Sequence, residues 1–281
     1  MEFVLEVRPP EGGLRYVRLP AQGRMTIGRE APADVVLPDR FLSRSHFQLH
    51  IENGIFVVTD AGSSNGTFVN GVRLSRSELR HGDTIYAGRT VLRLSALLEG
   101  KPALETLPEP PSTFLSWQFN LLTLLEERCN FVVLDGAISP AVRDLLNLAG
   151  VFYQSLYEGE KAAELAPHGP FLVELTKGSI LTPFLVKAAW GKSWGIFAVA
   201  ELSFDEMRKH LRRFLIVNTE NGQRLLFRFY DPRVLRTFLP TCDLGQRKEF
   251  FGPIQSFIAE SEDVNSVVLL NPVGEEVRRL K

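Results

Sequence analysis

The sequence predicts a multidomain chain: an all-β sandwich over residues 1–98, a proline-rich linker over 99–113, and an α/β or α+β domain over 114–281. Three observations carry that expectation. Residues 1–98 hold short segments rich in β-branched and aromatic residues at regular spacing, the pattern of a sandwich. Glu99 to Thr113 contain four prolines and few large apolar side chains, the composition of a semi-rigid connector. From Phe114 onward strand-like and helix-like segments alternate, as in a sheet with helices packed on it.

In the first part the strands are expected at "FVLEV", "RYVRL", "MTIG", "HFQLHI", "IFVVTD", "GTFVN", "DTIYAG" and "TVLRLS". Asn53-Gly54 and Asn70-Gly71 fit two-residue hairpin turns, because these residues tolerate positive φ cheaply. In the second part "FNLLTLLEER" reads as a helix and "NFVVLD" as a buried strand. "SPAVRDLLNLAG" offers Ser139 as a cap, Pro140 at the first helical position and Gly150 beyond the end. Strands follow at "VFYQSLY", "PFLVELT", "WGIFAVA" and "LLFRFYD". Ser203 and Glu206 form a capping box for a helix through His210 to Phe214. Asn221-Gly222 reads as a further hairpin turn.

Composition narrows the function classes. The formal net charge is −1, which argues against an electrostatic grip on nucleic acid or anionic lipid. Residues 1–98 contain arginine but no lysine. The planar guanidinium suits phosphate and carboxylate, although an arginine-rich codon bias explains the pattern equally well. Cys129 and Cys242 lack metal-ligand or redox spacing and read as free thiols in a reducing compartment. Glu2 and Glu6 in "MEFVLEVRPP" argue against a signal peptide. No apolar run approaches the roughly 18 residues of a membrane span, so the expectation is a cytoplasmic protein without membrane insertion. The five histidines (46, 50, 81, 168 and 210) show no metal-ligand spacing. Phosphate-loop, nucleophile-elbow and zinc-protease motifs are missing, so no cofactor is expected.

Four short pieces of the first part belong together: "IGRE" (27–30), "SRSH" (43–46), "SSNG" (63–66) and "VNG" (69–71). Loops at one end of a sandwich converge although distant in sequence. They supply Arg29, Ser43, Arg44, Ser64 and Asn65, donors for a phosphate and for a peptide backbone. No nucleophile–base pair accompanies them, so the set binds and does not react. The second Asn-Gly pair, at 70–71, reads as a plain turn. The Gly-Arg, Ser-x-x-His and Asn-Gly pieces, at these separations, resemble the forkhead-associated (FHA) domain, a sandwich that reads phosphothreonine peptides. The resemblance covers nearly all of residues 1–98. It implies that Arg29, Ser43 and Arg44 contact the phosphate with Ser64 close by, and that Asn65 holds the ligand backbone. It further implies a structural His46 bracing the Ser43 loop, and supporting backbone roles for Gly28 and Gly66.

The second part offers fewer chemical groups. Asp135, at the end of "FVVLD", stands where α/β enzymes place acids, but capping the next turn is the simpler role. A catalytic reading predicts a deep polar pocket there. Trp190 and Trp194 in "WGKSWGIF" are either an aromatic anchor for a partner or core aromatics beside tight turns. In "FRFYDPRVLRTF" Phe227 and Phe229 alternate with Arg228 and Tyr230 as on a two-faced strand, and Asp231-Pro232 starts a helix. Arg228 and Arg233 either meet a partner or pair with Asp231.

The ordered phrases "VVLDGA", "SLYEG", "FLVEL", "WGKSWGI", "KHLRRFLIV", "FRFYDPRVL" and "FFGPI" resemble the adaptor-chaperone domain of bacterial type VI secretion. That domain was long catalogued as one of unknown function. The resemblance runs from about Phe114 to Leu270. It implies a non-catalytic protein that holds a secreted toxin effector and helps load it onto the spike protein VgrG. Many relatives use a further C-terminal lobe in partner selection; either the FHA part takes that role or cargo choice rests on the domain alone. The alternative is a phosphothreonine-dependent signalling scaffold unrelated to cargo. Trp190, Trp194, Arg228, Tyr230 and Arg233 are the candidate partner-binding residues.

Overall fold

A computed structural model describes residues 2–10, 13–20, 22–98, 101–102, 113–158, 165, 168–176, 179–218 and 222–281. The chain forms two compact units that are not contiguous in sequence. The first comprises Met1–Leu107, Arg143–Gln154 and Glu158–Pro167, and the second Pro108–Val142, Ser155–Tyr157 and His168–Lys281.

Eleven strands of the first unit run in chain order as β1 (Glu2–Arg8), β2 (Arg15–Arg18), β3 (Arg24–Gly28), β4 (Val35–Val36), β5 (Phe47–Glu52), β6 (Ile55–Asp60), β7 (Thr67–Val69), β8 (Val72–Leu74), β9 (Arg76–Leu79), β10 (Thr84–Ala87) and β11 (Thr90–Leu98). They form two sheets, in the orders β2-β1-β11-β10-β7-β8 and β4-β3-β5-β6-β9. A short β12 (Lys101–Pro102) adds to β11. The rest of the expected proline-rich linker, apart from Thr113, lies outside the described residues. Leu5, Ile27, Phe47, Ile85 and Leu92, drawn from both sheets, are fully buried in one core. Burying each such side chain contributes about 1.5–3 kcal/mol.

Both Asn-Gly turns in this unit take the left-handed conformation. Asn53 and Asn70 sit at φ 50° and 49°, followed by Gly54 and Gly71 at 82° and 78°. They join directly paired neighbours, Glu52 opposite Ile55 and Val69 opposite Val72. Asn221 lies outside the described residues. Four short strands escaped the sequence reading: β4, β8, β9 and β12, the last within the stretch expected as a linker. Each has at most four residues, too few for an alternating pattern to register.

The second sheet system runs through β13 (Phe131–Asp135), β14 (Tyr153–Ser155), β15 (Pro170–Glu174), β16 (Gly195–Ala200), β17 (Ile216–Asn218), β18 (Arg224–Leu226), β19 (Ile254–Glu260), β20 (Ser266–Asn271) and β21 (Gly274–Arg279). Seven of these form one sheet, β14-β15-β13-β16-β19-β20-β21, while β17 and β18 stand as a separate ribbon. The pairs of β13 with β15 and β16, and those from β16 through β21, are antiparallel, so of the two classes expected the domain is α+β. All five residues of β13 are buried, as befits its central place. The strands β19 to β21 were not assigned from sequence.

Six α-helices are delimited among the described residues. They are α1 (Ser116–Arg128), α2 (Ala141–Ala149), α3 (Leu181–Phe184, continuing as a π-helical stretch Leu185–Ala189), α4 (Phe204–Arg212), α5 (Pro232–Phe238) and α6 (Leu244–Phe251). Ser203 and Glu206 close the expected capping box on α4, with Ser203 N–H donating to Glu206 Oε2 at 2.9 Å. Around Phe250 gather Phe214, Phe229 and Phe257, at ring separations of 5.2, 5.8 and 5.7 Å.

One strand expectation fails. "LLFRFYD" pairs only through Leu226, and the amide of Phe227 makes the last bond, to Leu215 O at 2.9 Å. Residues 228–231 instead turn, with Asp231 N–H donating to Arg228 O at 3.0 Å. Phe229 and Tyr230 are both buried, which adjacent residues on opposite faces of an exposed ribbon could not achieve. Asp231 caps α5, and Arg228 swings toward Asp135.

Candidate functional site

The cleft of the first unit is built by backbone geometry before any side chain enters it. β3 ends at Gly28, where an added Cβ would lie 1.8 Å from Arg44 O. Only glycine permits that approach, which lets Arg29 N–H donate to Ser43 O at 2.9 Å. The 27–30 and 43–46 segments are thus fastened side by side.

His46 fastens the third loop. It is fully buried, its Nδ1 accepts the amide of Ser43 at 3.0 Å, and its Nε2 lies 3.1 Å from Gly66 O. Because Nδ1 is an acceptor, the ring proton sits on Nε2 and is donated to Gly66. Burial holds the imidazole below its ordinary pKa, against the opposing pull of the Gly66 carbonyl, Asp60 and Asp39. Ser64 N–H donates to Ser43 Oγ at 3.1 Å, which leaves the Ser43 hydroxyl proton to be donated elsewhere. Gly66 stands at φ 83° with the Arg73 guanidinium where its Cβ would be.

Two carboxylates that the sequence reading missed shape the same loops. Asp60 accepts from the amides of Gly62 and Ser63 at 3.0 Å each, from Ser63 Oγ at 2.5 Å and from Thr67 Oγ1 at 2.6 Å. Burial raises its carboxyl pKa, but these donors outweigh burial and hold it below the usual value. Asp39, buried, accepts from the amides of Phe41 (2.9 Å) and Arg89 (2.6 Å) and from Thr90 Oγ1 (2.9 Å). The sequence signal existed: an Asp two or three residues before a turn amide, in "TDAGSSN" and "PDRFLS".

The outcome is a cleft of about 590 Å³ lined by Arg29, Ser43, Arg44, Ser64 and Asn65, together with Arg40, Phe41, Pro32, Leu42 and Ser45. All five expected ligand-facing residues therefore share one cavity. Arg29 is loosely tethered, with Arg40 O and Glu30 Oε1 each at 3.4 Å. Asn65 Nδ2 donates to Phe41 O at 2.7 Å. Side chains bearing three guanidinium groups, three hydroxyls and an amide line the cleft, and no carboxylate does. Such a set can hold a phosphate and a backbone; it contains no base to activate a nucleophile.

In the second unit the candidate residues collect at the C-terminal end of β13. Asp135 N–H donates to Trp194 O at 2.7 Å, its Oδ1 accepts from Ala137 N–H at 3.0 Å, and its Oδ2 pairs with Arg228. Asp135 thus caps the following turn and is fully buried. The Asp135 carboxylate raises the Arg228 pKa above its ordinary value. Arg233 pairs with Asp231, at 3.0 Å to Oδ1 and 2.7 Å to Oδ2, the local option. Tyr230 is buried, and burial raises its pKa. Trp190 and Trp194 are half-buried; Trp190 Nε1 donates to Val264 O at 3.1 Å. Between the two tryptophans, Ser193 N–H donates to the buried Glu260 at 2.9 Å, and burial raises that carboxyl.

The cavity beside Leu134, Trp190 and Trp194 measures about 10 Å³. That cavity has room for about one water and is not lined by Asp135, the residue at which a catalytic reading predicts a deep polar pocket. No cluster of His, Cys, Asp and Glu among the described residues could hold a metal ion, and no helix there is long and apolar enough to cross a membrane. Cys129 is buried, and burial pushes its thiol up to about 12.

Two family models match separate parts of the chain. The FHA domain family matches residues 25–88, and a family described as a domain of unknown function (DUF4123) matches residues 130–249. The glycogen accumulation regulator GarA of Mycolicibacterium smegmatis is 37% identical over 82 residues, 29% of this chain and 51% of that protein. The oxoglutarate dehydrogenase inhibitor of Corynebacterium efficiens is 39% identical over 82 residues, 29% of this chain and 56% of that protein. The chain thus spans about half the length of the curated relatives it matches. Among solved structures, the FHA domain of CT664 from Chlamydia trachomatis is 27% identical with a TM-score of 0.33, covering 35% of this chain and all of that one. The FhaA FHA domain, solved in complex with the intracellular domain of Rv3910, is 29% identical with a TM-score of 0.30, covering 33% of this chain and 98% of that one. This chain carries an FHA domain over residues 25–88 and a DUF4123 domain over residues 130–249.

Proposed function

We propose that the protein is a non-catalytic, cytoplasmic adaptor-chaperone of bacterial type VI secretion, with an FHA module that docks a phosphothreonine-bearing protein. In this reading residues 1–98 form the docking module, 99–113 the connector and 114–281 the domain that holds a toxin effector and presents it to the spike protein VgrG. The observation that carries it is the convergence of Arg29, Ser43, Arg44, Ser64 and Asn65 on one cleft, in a chain that also carries a DUF4123 domain. Arg29, Ser43 and Arg44 hold the phosphate, with Ser64 beside them, and Asn65 holds the peptide backbone. Trp190, Trp194, Arg228, Tyr230 and Arg233 are the proposed partner-facing group of the second domain.

Each charge-assisted hydrogen bond to a phosphate contributes about 1.5–3 kcal/mol. Arg29→Ala therefore weakens phosphothreonine-peptide binding by about 10–100-fold. Co-expression with the cognate effector raises soluble effector, and deletion of this gene lowers effector secretion. Unchanged effector solubility and secretion in the deletion strain would sink the adaptor reading.

A second reading is a phosphothreonine-dependent signalling scaffold. It is favoured by the names of the similar proteins, a regulator of glycogen accumulation and an inhibitor of oxoglutarate dehydrogenase. It predicts recovery of a kinase or a phosphorylated regulator, lost in Arg29→Ala, with no effector among the captured proteins.

A further inference from the structure

β21 is the last strand of the seven-stranded sheet, and among the described residues no strand pairs with its outer edge. We propose that this edge pairs antiparallel with β21 of a second copy of the chain, about a two-fold axis at Val277, joining two sheets into one. The inference is independent of the phosphothreonine and type VI secretion readings.

The backbone of the edge is ready for a further strand. Residues 266–270 of β20 are buried, whereas Glu275 to Arg279 of β21 are all exposed, Val277 at 63%. Leu280 N–H donates to Asn265 O at 2.7 Å, and in the same register Ser266 faces Arg279, Val268 faces Val277 and Leu270 faces Glu275. Bonded and non-bonded pairs alternate along an antiparallel ladder, so Glu275, Val277 and Arg279 turn their N–H and C=O groups away from β20. Those are the groups that an added strand engages.

The side chains decide which strand fits. The order is Gly-Glu-Glu-Val-Arg-Arg. Charges commonly guard a free edge against pairing. Here, however, two acids precede the valine and two bases follow it, so reversing the strand exchanges the signs. Antiparallel pairing about Val277 sets Glu275 opposite Arg279 and Glu276 opposite Arg278 of the second copy, with the two valines together at the centre. Parallel pairing in register brings like charges side by side, which is destabilising. The same two-fold aligns the outward backbone groups: Val277 meets Val277 and Glu275 meets Arg279 as bonded pairs, about six hydrogen bonds in all. A contact of this kind uses one patch twice and closes on itself, so it makes a dimer and not a fibre.

Magnitudes place the contact among weak ones. Arg278 already has Glu276 of its own strand at 3.2 Å, and Arg279 attracts Asp263. Exposed ion pairs contribute little each, so the charges set direction and register while the backbone bonds and Val277 hold the copies together. An edge of six residues is small against a standard interface, so the expected dissociation constant is on the order of 10–100 µM.

The test is sedimentation velocity on the full chain at low salt, from about 1 to 300 µM, which spans the expected constant. The wild type is expected to pass from monomer to dimer across that range. Val277→Pro keeps the β20 ladder, because the Val277 N–H points away from it, and is expected to weaken association by about 10-fold or more. Two charge variants give the sharper readout. Glu275→Arg with Glu276→Arg, and Arg278→Glu with Arg279→Glu, are each expected to stay monomeric, because like charges then meet. Mixed in equal amounts they are expected to associate with each other, since the two edges now carry opposite signs; misfolding would not produce that rescue. A wild type that stays monomeric at every concentration overturns the proposal. So does association that persists at wild-type strength in Val277→Pro or in both charge variants, or a mixture that associates no more than its parts.

Discussion

The Nε2 of His46 lies 3.1 Å from the carbonyl oxygen of Gly66, a residue 20 positions later in the chain, while its Nδ1 accepts the Ser43 amide at 3.0 Å. One buried ring thus spans the two loops that carry Ser43, Ser64 and Asn65. The cleft depends on that ring although the ring does not line it.

Replacing His46 by Ala leaves the Ser43 N–H and the Gly66 carbonyl without their partner and opens a void. The expected loss is about 2–4 kcal/mol of unfolding free energy, read from urea titration. Phosphothreonine-peptide affinity should fall in the fraction that remains folded, because the Ser43 and Ser64 loops are no longer held together. A variant with unchanged stability would contradict the brace.

Stability should depend on pH through the same ring. Burial lowers the His46 pKa from 6.5, and burial also lowers that of His210, whose Nε2 faces Phe250 O at 2.8 Å. With the folded pKa below the unfolded one, the unfolded chain binds more protons between the two values, so stability rises with pH across that window. It is complete above about 6.5 and declines as the pH falls toward the folded value. Glu260, raised by burial, works in the opposite direction, because its contribution is lost as pH rises through its folded value. The measurement is therefore the difference between wild type and His46→Gln in unfolding free energy at pH 7.5 and 5.5. The wild type should lose more on acidification; equal losses would refute the assignment.

In the second domain, Arg228→Ala strands the fully buried Asp135 carboxylate with the Ala137 amide as its remaining donor among the described bonds. Breaking a fully buried pair costs about 3–5 kcal/mol. The Arg228 side chain is 41% exposed, so solvent screening reduces the expected loss to about 1–3 kcal/mol. Pairing it with Asp135→Asn in a double-mutant cycle isolates the interaction. A coupling near zero would show that Arg228 is free to serve a partner instead.

Much of the candidate cleft was legible because its parts are local. Gly28-Arg29, the Ser43-to-His46 piece and Ser63 to Gly66 each encode a loop conformation within a few residues, and Asn53-Gly54 and Asn70-Gly71 encode hairpins by their tolerance of positive φ. Asp39 and Asp60 left only a weak trace, since an Asp before a turn is common whether or not the turn matters. Phe227 to Tyr230 misled, because alternation of apolar and polar residues suits a strand but also suits a turn whose rings enter an aromatic core.

The sequence alone determined which residue types were available at each loop, that the first part is a β-sandwich, and where the hairpin turns fall, because these follow from short-range sterics and hydrogen bonding. Only the tertiary structure decided that β13 pairs antiparallel with β15 and β16, that Arg228 meets Asp135 across 93 residues, and that Arg40 joins the cleft. Those outcomes depend on which distant backbone groups and charges satisfy one another once water is excluded. Such matching is a property of the packed whole and is written in no single stretch of the chain.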